Sequence, residues 1–456
     1  MKLLSKMTFK GGVHPLENKQ FTESRAIEAV APPKQIVLPL CQHIGVPCKP
    51  VVNKKDSVTA GQVIGRADAF ISAPIHSPVN GIVKDIALAP HPVIGRTLGV
   101  YIDTDPQSNA PRQPAANRFD AAFDPQAYTP EQICTAVQEG GLVGMGGAGF
   151  PTRVKIEANP AMPKDTLIIN GCECEPFITC DYRLMLEWTW QVIAGIRLAA
   201  RAAKCTKIFI GIEDNKPQAI QALRQGLSQC RLSEEIRVVS LKTKYPQGGE
   251  RQLIRSVLGR QVPTGGIPPQ IGLCVLNTAT CAALAEAVVF GQPLTHRVVT
   301  VSGCAIARPG NYYVPIGMSV RDLIEHCGGL TESAARVVLG GPMMGFSIAD
   351  LSTPLTKTSG ALTLLTIETS CCAKYNKQRT ACIRCGRCLE ACPEGLNPTK
   401  IAHAVKHFRM DRADEYFMSA CIECGSCSYV CPAQIDLAGY IKTGKLLKAR
   451  EKRRLA

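Results

Sequence analysis

No apolar run in the 456 residues approaches the 18 or so needed to cross a bilayer. The most apolar stretch, Trp188 to Ala203, is broken by Gln191, Arg197 and Arg201. The N-terminus, MKLLSKMTFKGG, lacks an apolar core long enough for a signal peptide, so the expectation is a protein made and kept in the cytoplasm. Lys and Arg number 52 against 37 Asp and Glu, a net charge of +15, yet no nucleic-acid recognition motif accompanies this excess. Nucleic acid is therefore not an expected partner. What the chain does have is 22 cysteines, and in a reducing compartment these argue for metal or redox chemistry over disulfides.

A second absence concerns the stretch GLVGMGGAGFPTRVK, Gly141 to Lys155. Gly144 to Gly149 satisfies G-x-G-x-x-G, but a dinucleotide fingerprint requires a strand before it and a helix opening on it. Here TPEQICTAVQEGG precedes it and reads as a helix, with Thr129 as N-cap, Pro130 at the first position and Gly140-Gly141 as the stop. Pro151 then disfavours helix at Phe150. A Rossmann loop is excluded by this setting, and a glycine-rich turn holding something else is left.

The cysteines identify the other chemistry. Cys382, Cys385, Cys388 and Cys392-Pro393 form C-x-x-C-x-x-C-x-x-x-C-P, and Cys421, Cys424, Cys427 and Cys431-Pro432 repeat it. This is the bacterial run for [4Fe–4S] clusters, in which the fourth cysteine ligates the other cluster. Cluster 1 is expected on Cys382, Cys385, Cys388 and Cys431, and cluster 2 on Cys421, Cys424, Cys427 and Cys392. Structural zinc prefers thiolates in two pairs, which two complete Cys-Pro runs do not offer. Between the runs, Ile401, Ala404, Val405 and Phe408 recur at helical spacing, so the module is expected to be helical. Cys41, Cys48, Cys205, Cys230, Cys274, Cys281, Cys304 and Cys327 read as small buried hydrophobes. Cys371-Cys372 are adjacent, a spacing that rarely serves one metal.

In TLIINGCECEPFITCDYRLM, Leu167 to Ile169 reads as a buried parallel strand ending at Asn170-Gly171. Open α/β sheets bind ligands at such carboxyl ends. With Glu173 and Glu175 at the mouth and a glycine-rich loop upstream, this has the makings of a pocket with a phosphate end and a polar ring end.

At this point the sequence resembles the flavin-binding subunit of respiratory complex I. GMGGAGFPTRVK is similar to that family's GRGGAGFPTGxKW, NGCECEP to NADESEP, YPQGGE to YICGEE, and LCVLNTAT to the VNNVET segment. The resemblance implies non-covalent FMN with NAD(H) as substrate. It places Gly144, Gly146, Gly147 and Lys155 at the flavin phosphate, and Asn170, Glu173, Glu175, Tyr245, Gly249, Glu250, Asn277 and Thr278 around the ring and nicotinamide. Met145, Cys172, Cys174 and Thr278 depart from the family's Arg, Ala, Ser and second Asn. No residue is expected to act as a catalyst apart from these cofactor contacts. The chemistry agrees: glycines let backbone N–H groups cradle a phosphate, Lys155 adds charge, and a flavin can stand between hydride and single-electron carriers.

Near the N-terminus, VVNKKDSVTAGQVIG and SAPIHSPVNGIV resemble a biotinyl/lipoyl-type barrel-sandwich domain, with Val58, Val63, Ile82 and Val83 as expected core and Gly61 and Gly81 as turns. The hairpin tip RADAFIS lacks the lysine of carrier domains, so a structural or docking role is expected. Later, Val298 to Val301 and Tyr312 to Val314 read as strands and Ser319 caps a helix Val320 to His326, resembling the β-grasp domain of complex I with a packing role.

The expectation is an α/β multidomain chain: barrel-sandwich 1–104, linker 105–127, FMN/NADH-binding α/β domain 128–295, β-grasp domain 296–365, helical two-cluster ferredoxin domain 366–440 and basic tail 441–456. This order, with FKGGVHP near the start, resembles the C-subunit family of the Rnf electron transport complex. That family implies an ion-translocating NADH–ferredoxin oxidoreductase. Its implied partners are the other Rnf subunits, some membrane-integral, with ferredoxin reached through them. The implied place is peripheral, on the cytoplasmic face of the bacterial inner membrane. The tail's seven basic residues against one acid would add attraction to an anionic leaflet. Two rivals share features: a flavoprotein cobalamin reductase of microcompartments, and a flavin-free relay using only the clusters.

Overall fold

Short strands bounded by turns build the N-terminal unit. The computed structural model describes residues 7–107, 110–113, 118–232, 235–331, 334–368 and 380–455, with side chains as far as Glu451. Cys371-Cys372, parts of the 105–127 linker and the final side chains of the basic tail lie outside these residues. Strand β1 (Ile27–Ala29) precedes the barrel strands β2 (Gln35–Pro39), β3 (Lys49–Pro50), β4 (Ser57–Val58), β5 (Val63–Arg66), β6 (Ile75–His76), β7 (Gly81–His91) and β8 (Gly95–Thr104). They make two antiparallel sheets, β2-β8-β7-β4 and β3-β5-β6. Val58 and Val83 are buried as expected, whereas Val63 and Ile82 are 39% and 54% exposed. Neighbouring residues of a strand face opposite sides, so Ile64 and Val83 occupy the core and displace the other two.

The second unit is a parallel sheet flanked by helices. Its elements are α1 (Pro130–Glu139), α2 (Thr152–Ile156), β9 (Thr166–Asn170), α3 (Cys180–Glu187), α4 (Thr189–Ala203), β10 (Lys207–Glu213), α5 (Pro217–Gln229), β11 (Ile236–Leu241), α6 (Glu250–Leu258), β12 (Leu273–Asn277) and α7 (Thr278–Phe290). Thr129 and Gln132 form a reciprocal capping box on α1 with Pro130 at its first position, an arrangement worth about 1 kcal/mol. The strand order is β11-β10-β9-β12, all parallel. The chain therefore runs outward from β9 to β11 and returns past it to β12. Leu167 and Ile169 face the core shared with α4 and α7, while Ile168 packs with Leu253, Ile254 and Val257 of α6 on the other side. The apolar Trp188–Ala203 stretch is the buried helix α4, and no helix among the described residues is long and apolar enough to cross a membrane.

The third unit is a six-stranded sheet that contains β13 (His296–Ser302), β14 (Gly310–Pro315), β15 (Ala334–Leu339), β16 (Phe346–Ile348) and β17 (Ala361–Thr366), with helix α8 (Val320–His326) capped by Ser319. Its order is β1-β14-β13-β17-β15-β16. The edge strand β1 comes from the segment before the barrel and pairs in parallel with β14, so Ile27–Ala29 belong to this sheet and not to the barrel. Among the isolated cysteines, Cys48, Cys205, Cys274, Cys281 and Cys327 are buried, Cys41 and Cys230 half-buried, and Cys304 exposed in the connection from β13 to β14. The expectation of burial fails at Cys304, because a turn between strands lies on the surface.

The cysteine-run module is helical, with segments Arg387–Glu390, Pro398–Lys406, Met410–Glu415, Ser426–Tyr429 and Leu437–Leu455. Ile401, Ala404 and Val405 are buried in its core. Phe408 lies past the end of its helix with φ 55° and is 78% exposed, so it does not extend the apolar face.

Candidate functional site

The order of the parallel sheet creates a crevice where connections diverge, between β9 and β12, the position at which open α/β sheets take ligands. Asn170 and Asn277 end these two strands and are register partners. Asn277 caps α7, its Oδ1 accepting from the N–H of Ala279 (2.9 Å) and Thr280 (3.3 Å), and its Nδ2 donates to Asp181 Oδ2 at 2.6 Å. Asn170 Nδ2 donates to Gly248 O at 2.8 Å, which ties the segment before α6 to the same edge. The Thr278 Oγ1 is buried and has no partner among the described residues.

The glycine-rich loop sits at this edge. An antiparallel bridge between Val143 and Pro151 closes its base, and Gly144 N–H donates to Phe150 O at 2.8 Å. Met145 N–H donates to Thr280 Oγ1 at 2.9 Å, joining the loop to the first turn of α7. A Cβ added at Gly146 would stand 3.3 Å from that of Asn277. Residues 146–148 are exposed, and the N–H groups of Gly146, Gly147, Ala148 and Gly149 donate to no acceptor among the described residues. Gly147 has φ +115° with open space where a Cβ would stand, a conformation that suits glycine and leaves an approach to the backbone. Free amides in a concave turn are a cradle for an anion. These residues fit the phosphate end of FMN.

The loop is held from behind by remote segments. Ile44 N–H donates to Gly149 O at 3.0 Å, and Arg297 Nη2 donates to Met145 O at 3.3 Å. The buried Lys357 donates to Pro74 O (2.7 Å) and Gly141 O (2.6 Å), linking the barrel, the parallel-sheet unit and the six-stranded sheet. Burial pushes Lys357 down to about 7. Thr280, Asp181, Gly248, Arg297 and Lys357 were not expected from the sequence. Each lies far along the chain from the loop, and no local pattern marks it.

Lys155 Nζ pairs with Glu250 Oε1 at 3.0 Å and donates to Val275 O at 3.2 Å, so an incoming phosphate would compete with Glu250 for it. Gly249 caps α6 and Glu250 begins it. Glu173 turns inward, its carboxylate accepting from the N–H of Asp181 (2.6 Å) and Tyr182 (3.3 Å) at the start of α3. Burial pushes it up to about 7, and burial likewise lowers Lys19, whose Nζ lies 4.0 Å away. Lys19 Nζ also donates to the carbonyls of Glu173, Glu175 and Ile178. The Glu175 carboxylate accepts from the N–H of Met343 (3.2 Å) and Met344 (2.9 Å), and burial pushes it up to about 7. Tyr245 is buried, with its hydroxyl donating to Cys424 O at 2.7 Å. The side chains of Glu173, Glu175 and Tyr245 are thus engaged by protein groups, as are those of Asn170 and Asn277 at the strand ends, while the loop amides of 146–149 are left without protein acceptors among the described residues.

The cysteines gather around two cavities. Cys382, Cys385, Cys388 and Cys431 line one of about 400 Å³, together with Thr399 and Lys400. Cys392, Cys421, Cys424 and Cys427 line a tighter one of about 20 Å³. In each, the fourth thiol comes from the other run. Leu396 N–H donates to Cys392 Sγ (3.3 Å) and Ile435 N–H to Cys431 Sγ (3.4 Å), so the two Cys-Pro turns share one design. Such amide bonds to sulfur stabilise thiolate ligands and tune a cluster's potential. Burial pushes Cys421 up to about 11 and raises Cys392, Cys424 and Cys427, so iron binding must supply the drive to deprotonate them.

Four family profiles match, together spanning most of the chain: the RnfC barrel sandwich hybrid domain over residues 7–107, the Nuo51 FMN-binding domain over 137–286, the SLBB domain over 298–347, and the 4Fe-4S dicluster domain over 374–433. The C subunit of the proton-translocating ferredoxin:NAD(+) oxidoreductase complex of Clostridium ljungdahlii is 41% identical over 87% of this chain and 84% of its own length. The C subunit of the Na(+)-translocating ferredoxin:NAD(+) oxidoreductase complex of Acetobacterium woodii is 36% identical over 89% of both. The C subunit of the ion-translocating oxidoreductase complex of Vibrio cholerae is 38% identical over 89% of this chain, which spans only 51% of that longer relative.

Proposed function

The chain belongs to the C-subunit family of ion-translocating oxidoreductase complexes, and on that premise we propose that it passes electrons between NAD(H), FMN and two [4Fe–4S] clusters within a membrane-associated Rnf complex. FMN, when bound, supplies the chemistry that joins a two-electron hydride donor to carriers that take one electron each. The residues have separable tasks. The amides of 146–149, with Lys155, would hold the phosphate, while Asn170 and Asn277 would face the ring from adjacent strand ends. Gly249 and Glu250 would flank the nicotinamide, and the half-buried Glu173 and Glu175, bonded to backbone N–H groups, would hold the crevice wall in shape without touching the flavin.

The observation that carries this reading is continuity. The tighter four-cysteine cavity adjoins Tyr245, and the segment following Tyr245 bonds Asn170 through Gly248. Anaerobically loaded protein is expected to take up one FMN, hold about eight irons, and bleach its flavin on adding NADH. Full iron with no FMN uptake and no bleaching would leave the chain a flavin-free relay. In cells the proposal places it on the cytoplasmic face of the inner membrane, docked on membrane-integral partner subunits and reaching ferredoxin through them. A high-salt wash should then leave most of it on native membranes, since release at moderate salt would make the basic tail the anchor.

A further inference from the structure

The FKGGVHP stretch, Phe9 to Pro15, supplies none of the residues assigned to either cofactor, yet it touches both the Cys392 turn and Tyr245. Gly12 N–H donates to Ala391 O at 2.9 Å, beside the ligand Cys392. Val13 and Tyr245 exchange both backbone bonds, at 2.8 and 2.9 Å. Gly11 and Gly12 both have left-handed backbone, φ +79° and +80°. A Cβ at Gly11 would stand 2.6 Å from Cys392 O, and one at Gly12 would stand 2.6 Å from Tyr245 O. Only glycine meets both demands, the positive φ and the backbone approach on either side.

Tyr245 completes the joint. Its hydroxyl reaches Cys424 O at 2.7 Å, so the strap and this one residue touch the backbone of both ligand loops of the tighter cavity. Lys244 Nζ donates to Phe9 O at 3.1 Å and lies 4.9 Å above the Phe9 ring, fixing the strap's other end. Beyond Pro246 and Gln247, the Gly248 carbonyl accepts from Asn170 at the crevice.

We propose that Phe9 to Val13, acting with Tyr245, is the positioning device that sets the place, relative to the flavin site, of the cluster in the tighter cavity, the inner cluster as against the outer one of the wider cavity. This rests on the reading that the glycine-rich loop holds FMN and the cavities hold [4Fe–4S] clusters. Only an electron crosses the joint, and no bond forms or breaks there. Transfer between fixed carriers depends steeply on their separation and alignment, so a shift of the Cys392 turn should change the rate and the inner cluster's signal without emptying the flavin site.

The test uses the full chain loaded anaerobically with FMN and iron. Gly11→Val is expected to keep wild-type FMN content and bleaching by NADH. Arrival of electrons on the inner cluster, followed by stopped flow, should slow on the order of tenfold. Its EPR signal should shift while that of the outer cluster does not. Tyr245→Phe keeps the backbone ladder and removes only the bond to Cys424 O, so a smaller shift of the same EPR signal is expected, and this variant decides the matter if Gly11→Val does not fold. Wild-type signals and rates in both variants would overturn the proposal. Absence of FMN or iron uptake by the unaltered chain would instead overturn the functional reading, and the joint with it.

Discussion

Arg384 and Glu423 hold the same place in the two cysteine runs, with left-handed backbone at φ 56° and 57°, and Gly386 and Gly425 follow at φ 77° and 78°. The turns are copies, but their surroundings are not. Around the first run Cys382 and Cys385 are exposed, Arg384 and Arg387 project outward, and Ile383 is 65% exposed. In the second, Cys424 and Cys427 are buried, Glu423 pairs with Lys445 at 2.9 Å, and Lys445 also donates to Cys421 O at 2.5 Å. The Cys-Pro turn that completes the second site is tied down as well, with Gln252 of α6 donating to Glu394 at 2.6 Å. A ligand pattern thus dictates the local turn, while tertiary packing decides which site faces solvent and which faces the crevice.

The most severe way to break this comparison is to remove a fourth ligand. Cys392→Ala should abolish the inner cluster and Cys431→Ala the outer, each lowering iron from about eight to about four per chain, because the runs exchange their last thiolates. The inner loss should also lower the thermal midpoint more, since Cys392 sits in a turn bonded to the N-terminal strap and to α6. EPR of Cys392→Ala that showed only the outer signal missing would refute the exchanged pairing.

How much of this was legible in the sequence follows the same division between local and remote. The N-cap at Thr129, the strand ending at Asn170 and the Ser319 cap are all set by neighbours within a few residues, and each stands where the pattern placed it. The turns of the two cysteine runs are local in the same sense. Val63 and Ile82 show the limit of pattern, because two adjacent apolar residues in a strand give no sign of which one faces inward. Glu173, Glu175 and Tyr245 show another. Their motif matched, but their partners are Asp181, Met343 and Cys424, and only the folded chain brings these together. The parallel pairing of β1 with β14 spans most of the chain and left no trace in composition.

A subtler test compares the two matching glycines. A Cβ at Gly386 would meet nothing within 4 Å, whereas at Gly425 it would stand 2.7 Å from Met343 O. Both alanine variants carry left-handed strain of about 1 kcal/mol. Gly425→Ala must also displace the Met343 backbone, adding roughly 2 kcal/mol. The expected loss is therefore about 1 kcal/mol at the outer site and about 3 kcal/mol at the inner, read from thermal midpoints of loaded protein. Equal losses would mean that the inner turn is no more confined than the outer.

The smallest effect concerns pH, and it should touch the inner side alone. Met343, which backs Gly425, is held through its N–H by Glu175, and Met344 is held by the same carboxylate. Burial raises Glu175 from 4.5 to about 7, against the lowering influence of those two amides and of Lys19 and Lys442. The sign follows from proton counting. Between pH 4.5 and 7 the closed structure keeps a proton on Glu175 that the opened segment has released, so stability of this contact falls as pH rises through that window and levels off above it. Glu173, raised likewise to about 7, adds a contribution of the same sign at the start of α3. Discounted for solvent screening of the partly exposed Glu175, the fall should be on the order of 1 kcal/mol between pH 5 and 7. Native-state hydrogen exchange at Met343 and Met344, corrected for its intrinsic pH dependence, reports the opening free energy directly. Glu175→Gln should flatten the profile there while weakening the contact, because an amide can present only one acceptor oxygen to the two N–H groups. Arg384→Gln, on the solvent-facing run, should leave it unchanged. A Glu175→Gln profile that still fell in parallel with the unaltered chain would assign the pH dependence to another group and detach it from the inner site.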